Sequence, residues 1–171
     1  MSKEYDIYAS LPPFDVHNHH RKPTAQQQEY LSWELIEAST SGNHDQLIKA
    51  IQHRADLDCR YKGCTPLYYA SKNGFTMLVR SLLSYGAHLE TRNSKGRTAL
   101  MIACSRGHID TVHVLLHNGA KVNCTDHSGA TPRHLALRNG HSAVVHLLDT
   151  QARMPITRTN AIDLRLKQLT K

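Results

Sequence analysis

The chain repeats itself. Beneath "KGCTPLYYASKNGFTMLVRSLLSYGAHLE", starting at Lys62, stand "KGRTALMIACSRGHIDTVHVLLHNGAKVN" from Lys95 and "SGATPRHLALRNGHSAVVHLLDT" from Ser128. Gly63, Gly96 and Gly129 are evenly spaced, and the same interval separates Thr65, Thr98 and Thr131, then Ala70, Ala103 and Ala136, then Gly74, Gly107 and Gly140. A fainter copy, "WELIEASTSGNHDQLIKAIQHRADLDC", precedes them, with Ala38 and Gly42 standing before Ala70 and Gly74 at that interval less one position. A strict period of this length confines the fold to a stack of like units, each leaning only on its neighbours.

The residue types within the period dictate the unit. The glycine before the threonine suits a tight turn with positive φ. Thr65 and Thr131 can cap a helix through the hydroxyl, with Pro66 and Pro132 at the first helical position, where a missing N–H is harmless. A short first helix follows, in which Ala70, Ala103 and Ala136 let neighbours come close. The chain breaks at Gly74, Gly107 and Gly140. A second helix then places Val79, Leu82 and Leu83, and in the next copy Val112, Leu115 and Leu116, at the i, i+3, i+4 spacing of one buried face. Gly86 and Gly119 suit the left-handed residue that closes a helix.

A turn, a T-P-L-H-x-A-like first helix and an antiparallel second helix, recurring at a period of about 33 residues, resemble the ankyrin repeat. The resemblance is strong over 61–125, good over 126–149 and partial over 33–60. It implies an all-α solenoid of about four helix-turn-helix repeats joined by short β-turn or hairpin loops. The units are expected at 33–60, 61–92, 93–125 and 126–150, the first resembling an N-terminal cap. The third copy has Ala99 in place of proline. The fourth carries Arg133 where a leucine would be buried, as a terminal unit with one solvent-facing side requires.

Both flanks lie outside the period. Residues 1–32, with Pro12, Pro13, Pro23, "HNHHRK" and "QQQ", read as a flexible arm without a packed core, although "YDIYASLPPF" is apolar enough to dock on the array or on a partner. In 151–171, Asn160 offers a cap for a helix bearing Ile162, Leu166 and Leu169, expected to cover the fourth unit. No stretch approaches the roughly 18 apolar residues of a membrane span. The N-terminus lacks the apolar core of a secretory signal, so the chain is expected in the cytoplasm or nucleus.

Thirteen histidines invite a metal reading. His108 and His141 follow the inter-helix glycine, however, and serve the loop. His134 occupies the T-P-x-H slot, where its ring can bond neighbouring loop groups. His113, His117 and His146 lie off the Val/Leu stripe of the second helix, where polar residues face water. The His113/His117 pair has zinc-like spacing but only Asp110 as a nearby third ligand. Cys59, Cys64, Cys104 and Cys124 form no CxxC pair, and no neighbouring base marks any of them as a nucleophile. No phosphate loop, dinucleotide fingerprint or catalytic carboxylate pair is present, so no enzyme activity, metal or cofactor is expected.

The net charge of +7 is unevenly spread: six basic and nine acidic residues fall in 1–60, against fifteen and five in 61–171. Such asymmetry indicates an acidic partner for the later part. In the family that the repeat resembles, the turn tips and the exposed side of the first helices form a concave face that grips proteins. Carried over by position, that face would hold Tyr61, Lys62, Lys72, Asn73, Arg92, Lys95, Arg97, Arg106, His127 and Arg138, with Tyr68 or Tyr69 as further apolar anchors. Seven of these residues are cationic and none is acidic, which suits a carboxylate- or phosphate-bearing segment. The expected molecule is a monomeric, non-enzymatic protein-binding adaptor. Two alternatives are the specificity subunit of a larger regulatory assembly, such as a ubiquitin ligase or a transcription-related complex, and a nucleic-acid binder. The second lacks an aromatic stacking strip.

Overall fold

A computed structural model of the chain describes residues 23–153. Eight helices lie in that range: α1 (Ala25–Ser41), α2 (His44–Gln52), α3 (Pro66–Asn73), α4 (Thr76–Ser84), α5 (Ala99–Arg106), α6 (Ile109–His117), α7 (Pro132–Arg138) and α8 (Ser142–Arg153). They form four antiparallel hairpins. The first helices α1, α3, α5 and α7 pack in one row, and the second helices α2, α4, α6 and α8 in another. Among the described residues there is no strand. One isolated antiparallel bridge ties Tyr61 to Cys64 at a turn tip.

Each first helix starts where the threonine row requires. The hydroxyls of Thr65, Thr98 and Thr131 accept from the backbone N–H of Tyr68, Met101 and His134, satisfying one of the donors that a helix start leaves open. The proline-free Thr98 caps as the other two do, so Pro66 and Pro132 only pre-set the φ of the first helical residue. In the fourth unit the His134 ring accepts in return from the Thr131 N–H, closing a capping box.

Stacking of one hairpin on the next is fixed by a ring and a glycine. Gly74 and Gly107 end α3 and α5 in the left-handed region, at φ 75° and 77°. A Cβ on Gly74 would lie 2.6 Å from His108 Nδ1, and one on Gly107 would lie 2.5 Å from His141 Nδ1. Each imidazole therefore occupies space that only glycine leaves open. The His108 Nε2–H donates to the Lys72 carbonyl (3.0 Å) and the His141 Nε2–H to the Ser105 carbonyl (3.2 Å), one repeat back in each case. Phe75 covers Gly42 in the same way, without the hydrogen bond. The expectation that these histidines serve the loop holds, and they also bind one unit to its predecessor.

The apolar stripe of the second helices is buried as its spacing predicts, with Val79, Leu82, Val112 and Leu115 fully covered and Leu83 and Leu116 half-buried. The end of the stack is polar. Leu67 and Leu100 are 1% exposed between units, whereas Arg133 at the same position is exposed and makes a two-pronged ion pair with Asp149 (2.7 and 3.0 Å). Leu137 is 58% exposed, although its counterparts Ser71 and Cys104 are buried, because no described element lies beyond it.

Two boundaries need correction. The expected arm of 1–32 is too long, because α1 begins at Ala25 and buries Leu31. Thr24 and Gln27 form a reciprocal capping box inside "TAQQQEY", a stretch that reads as low complexity (3.3 and 3.0 Å). At the other end α8 runs to Arg153, past the boundary at 150. The remainder of the arm and the helix expected around Ile162, Leu166 and Leu169 lie outside the described residues.

The ring–glycine contact makes a differential prediction. Gly119 also has positive φ (88°), but nothing lies within 4 Å of a Cβ built there. Gly119→Ala should therefore carry only the left-handed backbone penalty, about 1 kcal/mol. Gly107→Ala should lose about 1–3 kcal/mol more through the forced contact with His141. In urea denaturation, adding His141→Ala to Gly107→Ala should abolish most of that excess.

Candidate functional site

Three turn tips line up along the stack. Tyr61 and Lys62, Ser94 and Lys95, and His127 and Ser128 occupy equivalent places at the tips of units two, three and four. The tips are joined to one another: His127 N–H donates to the Lys95 carbonyl (3.0 Å), and Gly96 makes room for the His127 ring. Gly63 lies beside Ser94, at ordinary contact distance. At the far ends of the first helices, Lys72, Ser105 and Arg138 form one row across α3, α5 and α7, and Asn73, Arg106 and Asn139 form a second. Arg97, near a tip, and Arg106, at a helix end, both act electrostatically on the Tyr68 hydroxyl. Burial pushes that hydroxyl's pKa up, and the two cations pull against it.

The ten residues expected on this face divide into two sets. Arg92, Arg97 and Asn73 hold the scaffold together. Arg92 Nη1 donates to the carbonyls of Thr125 (2.7 Å) and Gly96 (3.1 Å), extending a series in which Arg60 Nη1 donates to the Arg92 carbonyl (3.0 Å). Arg97 Nε donates to Asp126 Oδ2 (3.0 Å). Asn73 Nδ2 donates to the Thr40 carbonyl one unit back (3.1 Å), as Asn139 does to Ser105 (2.8 Å). Lys72, Lys95, Arg106 and Arg138 have no side-chain partner among the described residues, and the Lys62 ammonium lies over the Tyr61 ring at 5.1 Å from its centre. Tyr61 is 49% exposed and His127 is exposed. Tyr68 is buried, and the Tyr69 hydroxyl donates to the Tyr61 carbonyl (3.0 Å), which leaves Tyr61 as the outward aromatic ring of this face.

Asp126 is the residue that sequence reasoning missed. It is 6% exposed beneath the tips. Its Oδ1 accepts from Ser128 Oγ (2.6 Å), Ser128 N–H (2.9 Å) and Ala130 N–H (3.1 Å), while Oδ2 takes Arg97. The Ser128 hydroxyl, Arg97 and the two amides together hold its carboxyl far below the usual carboxylate range, against the effect of burial. Asn93, at the equivalent place one repeat earlier, holds its turn through Lys95 and Arg97 N–H in the same way (2.9 Å each). An Asx residue followed two and four positions later by turn amides is a recognisable motif, and "DHSGA" and "NSKGR" both contain it. Over this hub lies a shallow depression of about 350 Å³ lined by Ser94, Lys95, Arg97, Asp126, His127 and Ser128.

Reactive chemistry is weakly represented. All four cysteines are free thiols. Burial pushes Cys59 up to about 11 and Cys104 up to about 12, and raises Cys124 as well. A thiol so shifted is a poor nucleophile at neutral pH. His113, His117 and His146 are exposed on the outer face of α6 and α8, and no group of three metal-capable side chains converges among the described residues. His88 is held above the ordinary histidine range by its hydrogen bond and ion pair with Asp58. Asp58 also accepts the His88 N–H (3.0 Å), and Glu90 accepts the Lys121 N–H one unit later (2.9 Å).

Residues 35–126, more than half of the chain, match a family model described as ankyrin repeats, in three copies. No curated protein matches the chain. The match ends before α7, so the fourth hairpin joins the array on its geometry: the same threonine cap and the same ring-on-glycine contact.

Removal of the hub carboxylate should be costly. Asp126→Ala strands Arg97 and three turn donors, and should lower stability by about 2–3 kcal/mol, while Asp126→Asn, which can still accept from the turn, should lose about half of that. The carboxyl's folded pKa is depressed, so its contribution is whole above about pH 4, its unfolded value, and is lost as pH falls toward the folded one. Urea midpoints of wild type and Asp126→Ala at pH 7 and pH 3 should therefore converge at the lower pH.

Proposed function

The chain belongs to the ankyrin-repeat family, and from that premise we propose a non-enzymatic adaptor that holds an acidic or phosphorylated segment of another protein along its turn tips and first helices. Ankyrin repeats generally mediate protein–protein interaction, and no helix among the described residues is long and apolar enough to cross a membrane. One observation carries the finer proposal. Among the described residues Lys62, Lys72, Lys95, Arg106 and Arg138 have no acidic partner, and Asp126, the carboxylate beneath the tips, is buried and already paired with Arg97. Surfaces that merely keep a protein in solution mix both signs of charge.

The chemistry of recognition follows from the side chains. Arginine forks at 106 and 138 can grip carboxylate or phosphate oxygens in pairs, whereas the lysines act as point charges. Tyr61 supplies the apolar anchor that a charged groove needs if it is to hold a partner rather than only attract one. Arg92 and Arg97 are scaffold in this scheme. The setting we infer is the cytoplasm or nucleus, where four unpaired thiols stay reduced, and the chain acts as a monomer.

A labelled glutamate-rich peptide and a phosphoserine peptide serve as probes in fluorescence anisotropy. Lys95→Glu/Arg106→Glu/Arg138→Glu should weaken both by about tenfold or more while circular dichroism stays that of wild type, because none of the three is tied into the scaffold. Wild-type affinity should fall steeply up to about 0.5 M salt, where the screening length is about 4 Å. An affinity indifferent to salt overturns the proposal, and so does stronger binding of random DNA or RNA than of either peptide at physiological salt.

A further inference from the structure

The sequence holds a ligand of the kind this face suits. Residues 4–15, "EYDIYASLPPFD", contain Glu4, Asp6 and Asp15, the aromatics Tyr5, Tyr8 and Phe14, and no cation. We infer that this segment binds the basic face of its own chain, so that a partner must displace it. The inference rests on the proposed basic face and names that face's first occupant. Charge complementarity is the primary argument: three carboxylates and three rings meet five cations that have no ion pair among the described residues and one exposed ring, Tyr61.

Geometry brings the segment to the face. α1 has seventeen residues and α3 eight, and their C-terminal ends are level, because Asn73 reaches the Thr40 carbonyl and Phe75 covers Gly42. The nine extra residues of α1 therefore project about 14 Å past the start of α3, on the side of the turn tips. The Cys59 thiol, just before the first tip, donates to the Ser32 carbonyl (3.7 Å), which places that extension beside Tyr61 and Lys62. Seven residues, 16–22, separate Asp15 from Pro23, and span at most about 24 Å. From α3 to α7 the face crosses two helix spacings, about 20 Å. The tether starts beside α1, so on its own it reaches Lys62 and Lys95 at the tips; Arg106 and Arg138, at the far ends of α5 and α7, come within range only of the twelve residues of the segment itself.

Linkage in one chain makes weak contacts sufficient. A short tether gives an effective concentration of about 1 mM. An intrinsic Kd of about 0.1 mM would then keep the face occupied about nine-tenths of the time and weaken an outside acidic ligand about tenfold.

Zero-length carbodiimide coupling of the full chain at micromolar dilution tests this directly, since it joins only carboxylates and amines in contact. Mass spectrometry of the monomeric product should find Glu4, Asp6 or Asp15 joined to Lys62, Lys72 or Lys95, with no comparable link to Lys121, and about 0.5 M salt should suppress the links. A full-chain Tyr5→Ala/Tyr8→Ala/Phe14→Ala variant, unchanged in charge, should show fewer such links and bind the glutamate-rich peptide several-fold more tightly. Links found only in dimeric product, or spread evenly to Lys121, overturn the inference. If the glutamate-rich peptide couples to Lys62, Lys72 and Lys95 while residues 4–15 do not, the cis ligand fails and the basic face stands. If neither couples, both fail.

Discussion

A histidine ring lying on a glycine one repeat back sets the geometry on which everything else depends. A solenoid unit has only its neighbours to lean on, so any looseness between units accumulates along the stack. At Gly74/His108 and Gly107/His141 the contact combines a close approach that a Cβ would forbid with a hydrogen bond to a helix-end carbonyl. It therefore fixes both distance and rotation. Asn73 and Asn139 add a second bond from the same helix ends to the preceding unit. With the helix ends locked in register, the tips fall into register too, and His127 N–H can meet the Lys95 carbonyl. A row of tips is a consequence of how the helices end.

The same register explains why a basic composition does not translate directly into a basic site. Arg60, Arg92 and Arg97 are consumed in bonds between units, and Arg133 closes the terminal unit onto Asp149. Their charge is satisfied by carbonyls or carboxylates, and a ligand would have to compete for it. The cations left over on this face sit at two levels, the tips and the C-terminal ends of the first helices. Spacing alone does not separate the two sets, because arginines recur in both and only the bonds between units tell them apart.

Most of the fold was legible because the period acts on residue types that have a single physical use. A threonine before a helix, a glycine after it and an i, i+3 stripe of valine and leucine leave few alternatives, and the hairpins formed where those signals stood. The start of α1 was obscured because "AQQQEYLS" combines good helix formers with a glutamine run, and composition dominated over the Thr24/Gln27 capping box. On the turn tips and helix ends, the sequence did not separate the side chains that tie the scaffold together from those left without a partner. Asp126 gave the sharpest surprise: a carboxylate in a basic stretch reads as an isolated surface charge, yet buried it organises a turn and neutralises Arg97. Tyr68 was equally opaque, because whether a ring in the first helix faces out or lies between units depends on the rotation that the glycine contacts impose.

Separation of scaffold from face has an evolutionary corollary that follows from energetics. Positions 92, 97 and 126 are bound to partners on a neighbouring unit, so a change there acts on stability before it acts on recognition. Positions 62, 72, 95, 106 and 138 lack such partners, and substitutions there are expected to shift folding by only about a few tenths of a kcal/mol. Specificity can therefore be rewritten on the second set while the first set stays constant. A charge on the face is under no structural obligation to be basic. That all five are cationic nevertheless, and that the carboxylate beneath the tips is buried and paired with Arg97, is the strongest physical reason to look for an anionic ligand.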